Sequence, residues 1–249
     1  MSWSKVKKNV EYLSAKFPSI GNLRKIPVVP TDSKGYYLEA QVNNHSHPEN
    51  KIVWWWESSQ GIEERFNWLR ANIQKKITEL GSLCITLYIW VGTCDLTTKS
   101  GHFIKLAAPD NFSVVNRLFR FYKDIYEYIS EFPTITLIFL ELPFYSIYFW
   151  NLSKSHTDPE PYREEDKIIE QQIVEVNKYI RSLNLLLHPQ INSVDFGLDL
   201  EKSHKTHYQR AIRYCNSYHE LYLDGIHPTH ELAKLWILRL TLGLQNDCK

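Results

Sequence analysis

The sequence predicts an α/β protein, a three-layer α/β/α sandwich on a five-stranded, mostly parallel sheet. Two observations lead to this prediction: short apolar runs recur along the 249 residues, and segments with helical periodicity separate them. Runs that are apolar throughout fit strands buried on both faces, as the strands of a parallel sheet are. Strand and helix alternate about five times, which implies right-handed crossovers that carry helices over the sheet.

Five runs are the candidate strands. The run LCITLYIWV at 83–91 is rich in β-branched and aromatic residues, which favour strands. The last run, INSVDFGLDL at 191–200, is a weaker candidate than the others. The remaining three are KIPVV at 25–29, KIVWWW at 51–56 and TITLIFLEL at 134–142.

Four longer segments have helical texture. In GIEERFNWLRANIQKKITEL, at 61–80, apolar residues recur at nearly helical spacing. The segment at 163–187 opens with acidic residues, which a helix N-terminus prefers. The other two segments lie at 111–132 and 230–244.

The first residues of the chain are a candidate extension. Residues 2–17 have an amphipathic helical pattern, so we expect residues 1–24 to form a helical extension. No internal repeat and no low-complexity linker divides the rest of the chain. We therefore expect residues 25–249 to form a single domain.

Composition argues against several classes of protein. Hydrophobic residues make up 43% and charged residues 23%, which is typical of globular proteins and argues against disorder. The net charge is +1 and no basic block stands out, so we predict no nucleic-acid partner. The four cysteines include no C-x-x-C pair, which is typical of reduced thiols rather than a disulfide scaffold.

Two features argue against a membrane or secretory protein. The N-terminal segment lacks the apolar core of a signal peptide. The most apolar run, 135–150, is interrupted by Glu141 and Pro143. We therefore expect an intracellular, cytoplasmic protein without a membrane span, and its oligomeric state stays open.

Polar clusters follow the predicted strands, at the edge of the sheet where ligands bind in such folds. The first run is followed by PTDSKG, which holds Ser33, and the second by ESSQG, which ends at Gly61. GTCDLTT follows the third run, and LDGIH follows the fifth at some distance.

Ser33, His227 and Asp224 are candidate catalytic residues. A serine hydroxyl is a weak nucleophile at neutral pH and needs a base, usually a histidine whose tautomer a carboxylate fixes. The spacing D-x-x-H places Asp224 and His227 on one turn, where Gly225 lets the backbone bend and Pro228 stiffens the exit. The backbone amides of Ser33 and Gly61 are candidate donors for an oxyanion hole.

Taken together, TDSKG, Gly61, GTCD and DGIH resemble, in order, the four sequence blocks of the SGNH/GDSL hydrolases. The resemblance covers about residues 25–244 and implies a flavodoxin-like fold and esterase activity. It implies that Ser33 is the nucleophile, that Asp224 and His227 complete the triad, and that Gly61 donates to the oxyanion. The supporting positions that it implies are Asp32, Gly92 and Asp95. The segments DSKG and GTCDLT also resemble segments of uncharacterised invertebrate proteins, and a link to mobile elements is an open alternative.

Two positions depart from the family pattern. Thr31 stands where the first block has glycine, and Cys94 stands where the third block has asparagine, the family's side-chain oxyanion donor. A thiol is a weak hydrogen-bond donor. Losing one such donor typically costs roughly 10²–10³ in rate, and together the two departures motivate the alternative of a weak or inactive site.

Other readings of single residues remain open. Cys94 could be a nucleophile, but we favour a small, half-buried residue that fills the place of asparagine. Asp32 before a helix also fits an N-cap, Asp95 fits a structural role in its loop, and we expect Lys34 to be solvated. The histidine pairs at 45 and 47 and at 204 and 207 lack a third metal ligand at a recognisable spacing, so we predict no metal and no cofactor.

The sequence therefore predicts a hydrolase that acts on a small-molecule or acylated carboxylic ester, with an acetyl ester as one candidate. The alternative is a catalytically weak or inactive SGNH-fold module that binds a partner.

Overall fold

The computed structural model describes residues 3–16, 23–42, 51–81, 84–110, 113–189, 194–197, 200, 202–205, 210–213 and 219–248. In chain order these residues form α1 (Trp3–Lys16), β1 (Ile26–Thr31), α2 (Ser33–Glu39), β2 (Val53–Trp56), α3 (Ile62–Leu80), β3 (Ile85–Ile89), β4 (Thr97–Ser100), β5 (Phe103–Leu106), α4 (Ser113–Ile129), β6 (Ile135–Phe139), α5 (Ile147–Ser153), α6 (Tyr162–Leu187), β7 (Lys202–Lys205), β8 (Arg210–Arg213) and α7 (His230–Asp247).

A parallel sheet in the order β2–β1–β3–β6 lies at the centre of the fold. All five residues of β3 are buried, as expected for a strand covered on both faces. Helices α3, α4 and α6 pack in sequence on one another, and α7 packs on both α1 and α2. The predicted α/β class with a mostly parallel sheet is thereby confirmed.

The central sheet has four strands among the described residues, not the five predicted. The fifth candidate run lies partly outside the described residues, and its described part, 194–197, is not a strand. Its apolar residues have another use: Val194 and Phe196 are buried, and the Phe196 ring lies 4.5 Å from Trp90 and 5.4 Å from Trp236 between centroids. This run therefore fills the core and pairs with no described strand.

The longer helices lie close to the predicted bounds, whereas α2 and α5 are additional. Each has seven residues, about two turns, which is too short to show a helical repeat in the sequence. Helix α1 packs on α7, and its Val6 and Leu13 are buried. The division into an extension and one domain stays a prediction. Within the described part of the chain, no helix is both long and apolar enough to cross a membrane.

Candidate active site

Ser33 is the first residue of α2, directly beyond the carboxyl end of β1. The intervening Asp32 has extended backbone angles and caps the helix, because its Oδ1 accepts a hydrogen bond of 2.9 Å from the Lys34 amide. An N-cap of this kind satisfies an amide that the first helical turn leaves without a partner. The cap therefore fixes where α2 begins and holds Ser33, half-buried, at the edge of the sheet.

Asp224 and His227 lie on a closed turn that precedes α7. The Leu223 amide donates to the His227 carbonyl at 2.8 Å, and the Thr229 amide donates to the Leu221 carbonyl at 2.9 Å. Inside the turn, Asp224 Oδ1 accepts from the His227 amide at 2.9 Å. The turn is therefore closed at its base and braced by the Asp224 side chain.

Gly225 is required in this turn for two reasons. Its φ of +92° is one that side-chain-bearing residues rarely adopt. A Cβ at this position would also lie 2.7 Å from the Trp150 amide nitrogen and 2.8 Å from the Ser146 carbonyl oxygen. The turn thus packs directly on the backbone at the start of α5, and the Ser146 amide donates to the Gly225 carbonyl at 2.9 Å.

Asp166 of α6 holds the start of α5 in place. Its buried carboxylate accepts hydrogen bonds from Ser146 Oγ at 2.5 Å and from the Ile147 amide at 2.6 Å. Burial raises the pKa of Asp166 to about 6, although these hydrogen bonds act in the opposite direction. A chain of contacts therefore runs from α6 through α5 to the turn that carries His227.

The three candidate triad residues lie in hydrogen-bonding order, although Ser33 and His227 are 194 positions apart. Ser33 Oγ lies 3.0 Å from His227 Nε2, and His227 Nδ1 lies 2.8 Å from Asp224 Oδ2. Burial acts to raise the pKa of Asp224, but hydrogen bonds and charge from the His227 ring, with hydrogen bonds from two amides, outweigh it and lower the pKa. An ionised Asp224 keeps the proton on Nδ1 and leaves Nε2 free to accept the serine proton.

Two aromatic side chains contact the His227 ring, and one of them, Tyr37, was not selected from the sequence. Tyr37 stacks on it with a centroid distance of 4.8 Å and an interplanar angle of 27°. Trp150 approaches it at 5.9 Å and 56°. Tyr37 is four residues after Ser33 and therefore lies on the same face of α2. A helix predicted at 33–39 would have identified Tyr37 from this spacing.

Lys34 is buried, so the expectation of a solvated side chain is wrong. Its Nζ lies 2.5 Å from Asp32 Oδ2, and both side chains are about 2% exposed. The ammonium group also lies 5.7 Å from the centroid of the Trp90 ring. A buried lysine needs such partners, because an unpaired charge in the interior is very costly.

Thr31, at the position where the family has glycine, fits because Gly35 leaves room for it. Thr31 is fully buried at the end of β1. Its Cγ2 lies 2.3 Å from where a Cβ on Gly35 would be, a contact that no side chain at 35 could tolerate. Thr31 Oγ1 has no hydrogen-bond partner among the described residues, so the threonine serves here as an apolar filler.

Asp95 joins the loop after β3 to the start of α3. Its Oδ2 accepts a hydrogen bond of 2.8 Å from the Ile62 amide, and a Cβ at Gly61 would lie 2.8 Å from its Oδ1. Burial raises the pKa of Asp95 to about 6. Gly92 has a φ of +116°, and a Cβ there would lie 2.7 Å from the Tyr122 hydroxyl. These contacts explain why the two glycines and the aspartate occur in these loops.

A cavity of about 290 Å³ opens beside the serine and the histidine. The β4–β5 hairpin forms one wall of it. Gly61 does not line the cavity, whereas Ser59, two residues earlier, does, with a positive φ of 61° that is unusual for serine. The lining residues are Ser33, Ser59, Cys94, Thr97, Lys99, Ile104, Trp150, Ile226 and His227.

The thiol of Cys94 is neutral at physiological pH. Burial raises its pKa to about 12, and the nearby Asp32 acts in the same direction. A nucleophilic cysteine needs a thiolate, so this environment favours the reading of Cys94 as a small residue that fills the place of asparagine.

Potential metal ligands are scattered within the described residues, where no three His, Cys, Asp or Glu side chains are grouped to hold an ion. The histidine pairs at 45 and 47 and at 204 and 207 lie outside the part of the chain whose side chains are described.

No protein-family model matches the chain, and no curated protein matches it. Solved structures do resemble it. A protein from Bacteroides fragilis, provisionally described as an acylhydrolase, has a TM-score of 0.56 at 15% identity, over 100% of both chains. A GDSL-like lipase from Bacteroides thetaiotaomicron has a TM-score of 0.56 at 14% identity, over 99% of this chain and 100% of that one. The lipase/acylhydrolase from Enterococcus faecalis has a TM-score of 0.51 at 9% identity, over 90% and 97%.

At identities this low, structural similarity establishes a shared fold, and activity has to be argued from the site itself. The resemblance to invertebrate proteins stays a hypothesis. Since these similarities extend over nearly the whole chain, we conclude that this protein shares the α/β fold of the solved GDSL-like lipase and acylhydrolase.

Proposed function

We propose that the protein is a serine hydrolase that cleaves carboxylic esters through a covalent acyl-enzyme. The observation that carries this proposal is the pair of contacts on one imidazole, 3.0 Å from Nε2 to Ser33 Oγ and 2.8 Å from Nδ1 to Asp224 Oδ2. Both distances lie within the range of direct proton transfer and hydrogen bonding. The shared fold of solved lipases and acylhydrolases supports the same conclusion at a coarser level.

In the proposed reaction, Ser33 Oγ attacks the acyl carbon while His227 Nε2 takes the hydroxyl proton. Asp224 stabilises the imidazolium that forms. The tetrahedral intermediate collapses, the alcohol leaves with the proton from Nε2, and the acyl group stays on Ser33. Water, deprotonated by the same nitrogen, then attacks the acyl-enzyme and releases the acid.

The oxyanion hole is the weaker part of the proposed machinery. The backbone amide of Ser33 donates no hydrogen bond to any described residue, so we assign it to the oxyanion. The Gly61 amide is the second candidate donor from the sequence, although Gly61 does not line the cavity. The Ser59 hydroxyl, on the cavity wall, is a third candidate donor. Cys94 contributes little because a thiol donates weakly, and we therefore expect a slow enzyme.

A short acyl group such as acetyl suits the cavity. Ile104, Trp150 and Ile226 give its walls an apolar surface beside Ser33 and His227, and its volume is about 290 Å³. Pockets of this kind are at the small end of those that bind organic ligands.

A fluorophosphonate probe tests the proposal directly. We expect the folded protein to be labelled on Ser33, and we expect 4-nitrophenyl acetate to compete. Ser33→Ala removes the attacked atom and His227→Gln removes the base, so both should abolish labelling. Folded wild-type protein that takes no label would overturn the proposal and favour the binding module.

A further inference from the structure

Lys99 is the one residue lining the cavity that carries a permanent charge, and no carboxylate is among the described residues that line it. The other lining residues are serine, cysteine, threonine, isoleucine, tryptophan and histidine side chains. The electrostatic character of the cavity mouth is therefore set largely by one ammonium group. Beside an otherwise neutral wall, that group attracts anions.

The pleat of the β4–β5 hairpin determines that Lys99 faces the cavity. Lys99 pairs directly with Ile104, and cross-strand partners project from the same face of a hairpin. Ile104 is 6% exposed and lines the cavity. The neighbouring pair, Thr98 and Lys105, projects from the opposite face, and both residues are exposed.

Lys99 has no salt bridge and no side-chain hydrogen bond to any described residue. Some other lysines of the protein are paired, as Lys76 is with Glu79 at 2.8 Å and Lys178 with Glu175 at 2.6 Å. Lys105, on the same hairpin, is exposed like Lys99 and also has no salt bridge to a described residue. The hairpin thus presents an ammonium group to the cavity without a carboxylate to balance it.

Three carboxylates near the triad are engaged elsewhere. Asp224 is bonded to the His227 ring and to two amides, Asp32 is paired with Lys34, and Asp95 bonds the Ile62 amide. None of them is available to neutralise an ammonium group on the hairpin. Among the described residues no carboxylate lines the cavity, so a carboxylate on the substrate could pair with Lys99.

We propose that Lys99 is a specificity-determining residue that selects esters bearing a carboxylate. This inference rests on the proposed ester hydrolysis at Ser33 and adds the substrate class: an anionic ester whose carboxylate pairs with Lys99 while the ester carbonyl lies at Ser33. The carboxylate belongs either to the acyl group or to the leaving group. The carboxylate forms the same ion pair with Lys99 in either position. Substrates that carry the carboxylate on the acyl group or on the leaving group distinguish the two positions.

Turnover of matched charged and neutral esters tests the proposal. For the leaving group, 4-acetoxybenzoate is compared with 4-acetoxybenzamide; for the acyl group, mono-4-nitrophenyl adipate is compared with the 4-nitrophenyl ester of adipamic acid. Each kcat/KM is divided by the rate of hydroxide hydrolysis of the same ester, which removes intrinsic reactivity. We expect wild-type protein to prefer the anionic member of at least one pair by about tenfold, as a charge-assisted hydrogen bond provides.

Two lysine variants supply the matched comparison. Lys99→Gln should bring the preference close to unity, whereas Lys105→Gln, on the outer face of the same hairpin, should retain it. High salt should reduce the wild-type preference, because exposed charges are screened within about 3 Å at 1 M ionic strength.

A binding measurement keeps the test independent of catalysis. The unreactive amides 4-acetamidobenzoate and 4-acetamidobenzamide are titrated by calorimetry into wild-type protein and both variants. We expect wild-type protein to bind the anion more tightly than the amide, and Lys99→Gln to remove that difference. This outcome would support the role of Lys99 even if no ester is hydrolysed, because the lack of hydrolysis would overturn only the proposed function. The role of Lys99 is overturned if wild-type protein binds charged and neutral ligands with equal affinity, or if Lys99→Gln keeps the preference of the wild-type protein. Either result counts whether or not esters are cleaved.

Discussion

The ring of Tyr37 stacks on the imidazole of His227, with centroids 4.8 Å apart and planes inclined by 27°. Tyr37 belongs to α2, the same helix whose first residue, Ser33, is hydrogen-bonded to the Nε2 atom of that imidazole. One short helix therefore holds both the Ser33 hydroxyl and the Tyr37 ring, which limits the rotation of the imidazole. Because Asp32 caps this helix, its position relative to the sheet is tied to the end of β1.

Removing the Tyr37 ring should loosen His227 without removing any atom of the triad. We expect Tyr37→Ala to lower kcat/KM for 4-nitrophenyl acetate about 2- to 12-fold, the range that corresponds to one aromatic contact. Tyr37→Phe keeps the ring and should retain activity. Tyr36→Ala removes an exposed neighbour whose ring contacts Trp56 and the edge of Tyr37 rather than the His227 ring, and it serves as the control. Equal losses in Tyr37→Ala and Tyr36→Ala would argue against this positioning role.

Asp224→Asn tests the assignment of the carboxylate. Asparagine can still accept hydrogen bonds from the Ile226 and His227 amides, which Asp224 Oδ1 does now, so the turn should survive. Its NH2 group, in place of Asp224 Oδ2, cannot accept a hydrogen bond from Nδ1–H, and the histidine would adopt the wrong tautomer. We expect kcat to fall roughly 10³–10⁴-fold with an unchanged melting temperature. A loss below tenfold would show that Asp224 is only structural.

Cys94→Asn restores the side-chain donor that the family pattern has at this position. We expect ester turnover to rise by up to about 10²-fold, since one oxyanion donor is worth roughly 10²–10³. Cys94→Ala, which removes the weak thiol donor, should leave turnover nearly unchanged. If Cys94→Asn is folded and gains nothing, the site is not limited by its oxyanion hole, and the inactive binding module becomes the better reading.

Gly225→Ala should disturb both stability and activity. At a φ of +92° the new Cβ would be strained, and it would meet the Trp150 amide nitrogen at 2.7 Å. Gly101→Ala is the matched control, because Gly101 has a φ of +61° and a Cβ there would have no neighbouring atom within 4 Å. We expect Gly101→Ala to cost about 1–2 kcal/mol of unfolding free energy. Gly225→Ala should cost more and displace His227, measured by urea unfolding and ester turnover. Equal costs in the two variants would contradict the close packing.

Asp166 gives the stability of the protein a pH dependence of known sign. Its pKa is raised by burial from 3.8 to about 6, so between these values the folded state binds more protons than the unfolded state. Its contribution to stability is therefore fully present below about pH 4 and is lost as the pH rises through 6, by at most about 3 kcal/mol. Asp166→Asn should flatten this part of the curve in urea unfolding. A wild-type slope that survives the substitution would assign it to other groups, of which Asp95 is the first candidate.

The sequence by itself determined the class of fold and the order of the candidate site residues. Periodicity and apolar runs are properties of neighbouring residues, and burial of each strand or helix face imposes them locally. Thus β2, β3 and β6 lie within the predicted runs, and β1 begins in the first run and ends two residues beyond it. The D-x-x-H spacing placed Asp224 and His227 on one turn. The seven-residue helix α2 was not predicted, because two turns are too few to show a helical repeat of apolar residues.

Tertiary structure alone decided which distant residues meet and which way each side chain points. The 3.0 Å contact between Ser33 and His227 spans 194 positions and depends on the packing of the turn against α5. Burial of Lys34 beside Asp32, and the direction of Lys99 towards the cavity, follow from helix capping and hairpin register. The contact between Ser33 and His227 arises from long-range packing, whose geometry no local pattern in the chain records.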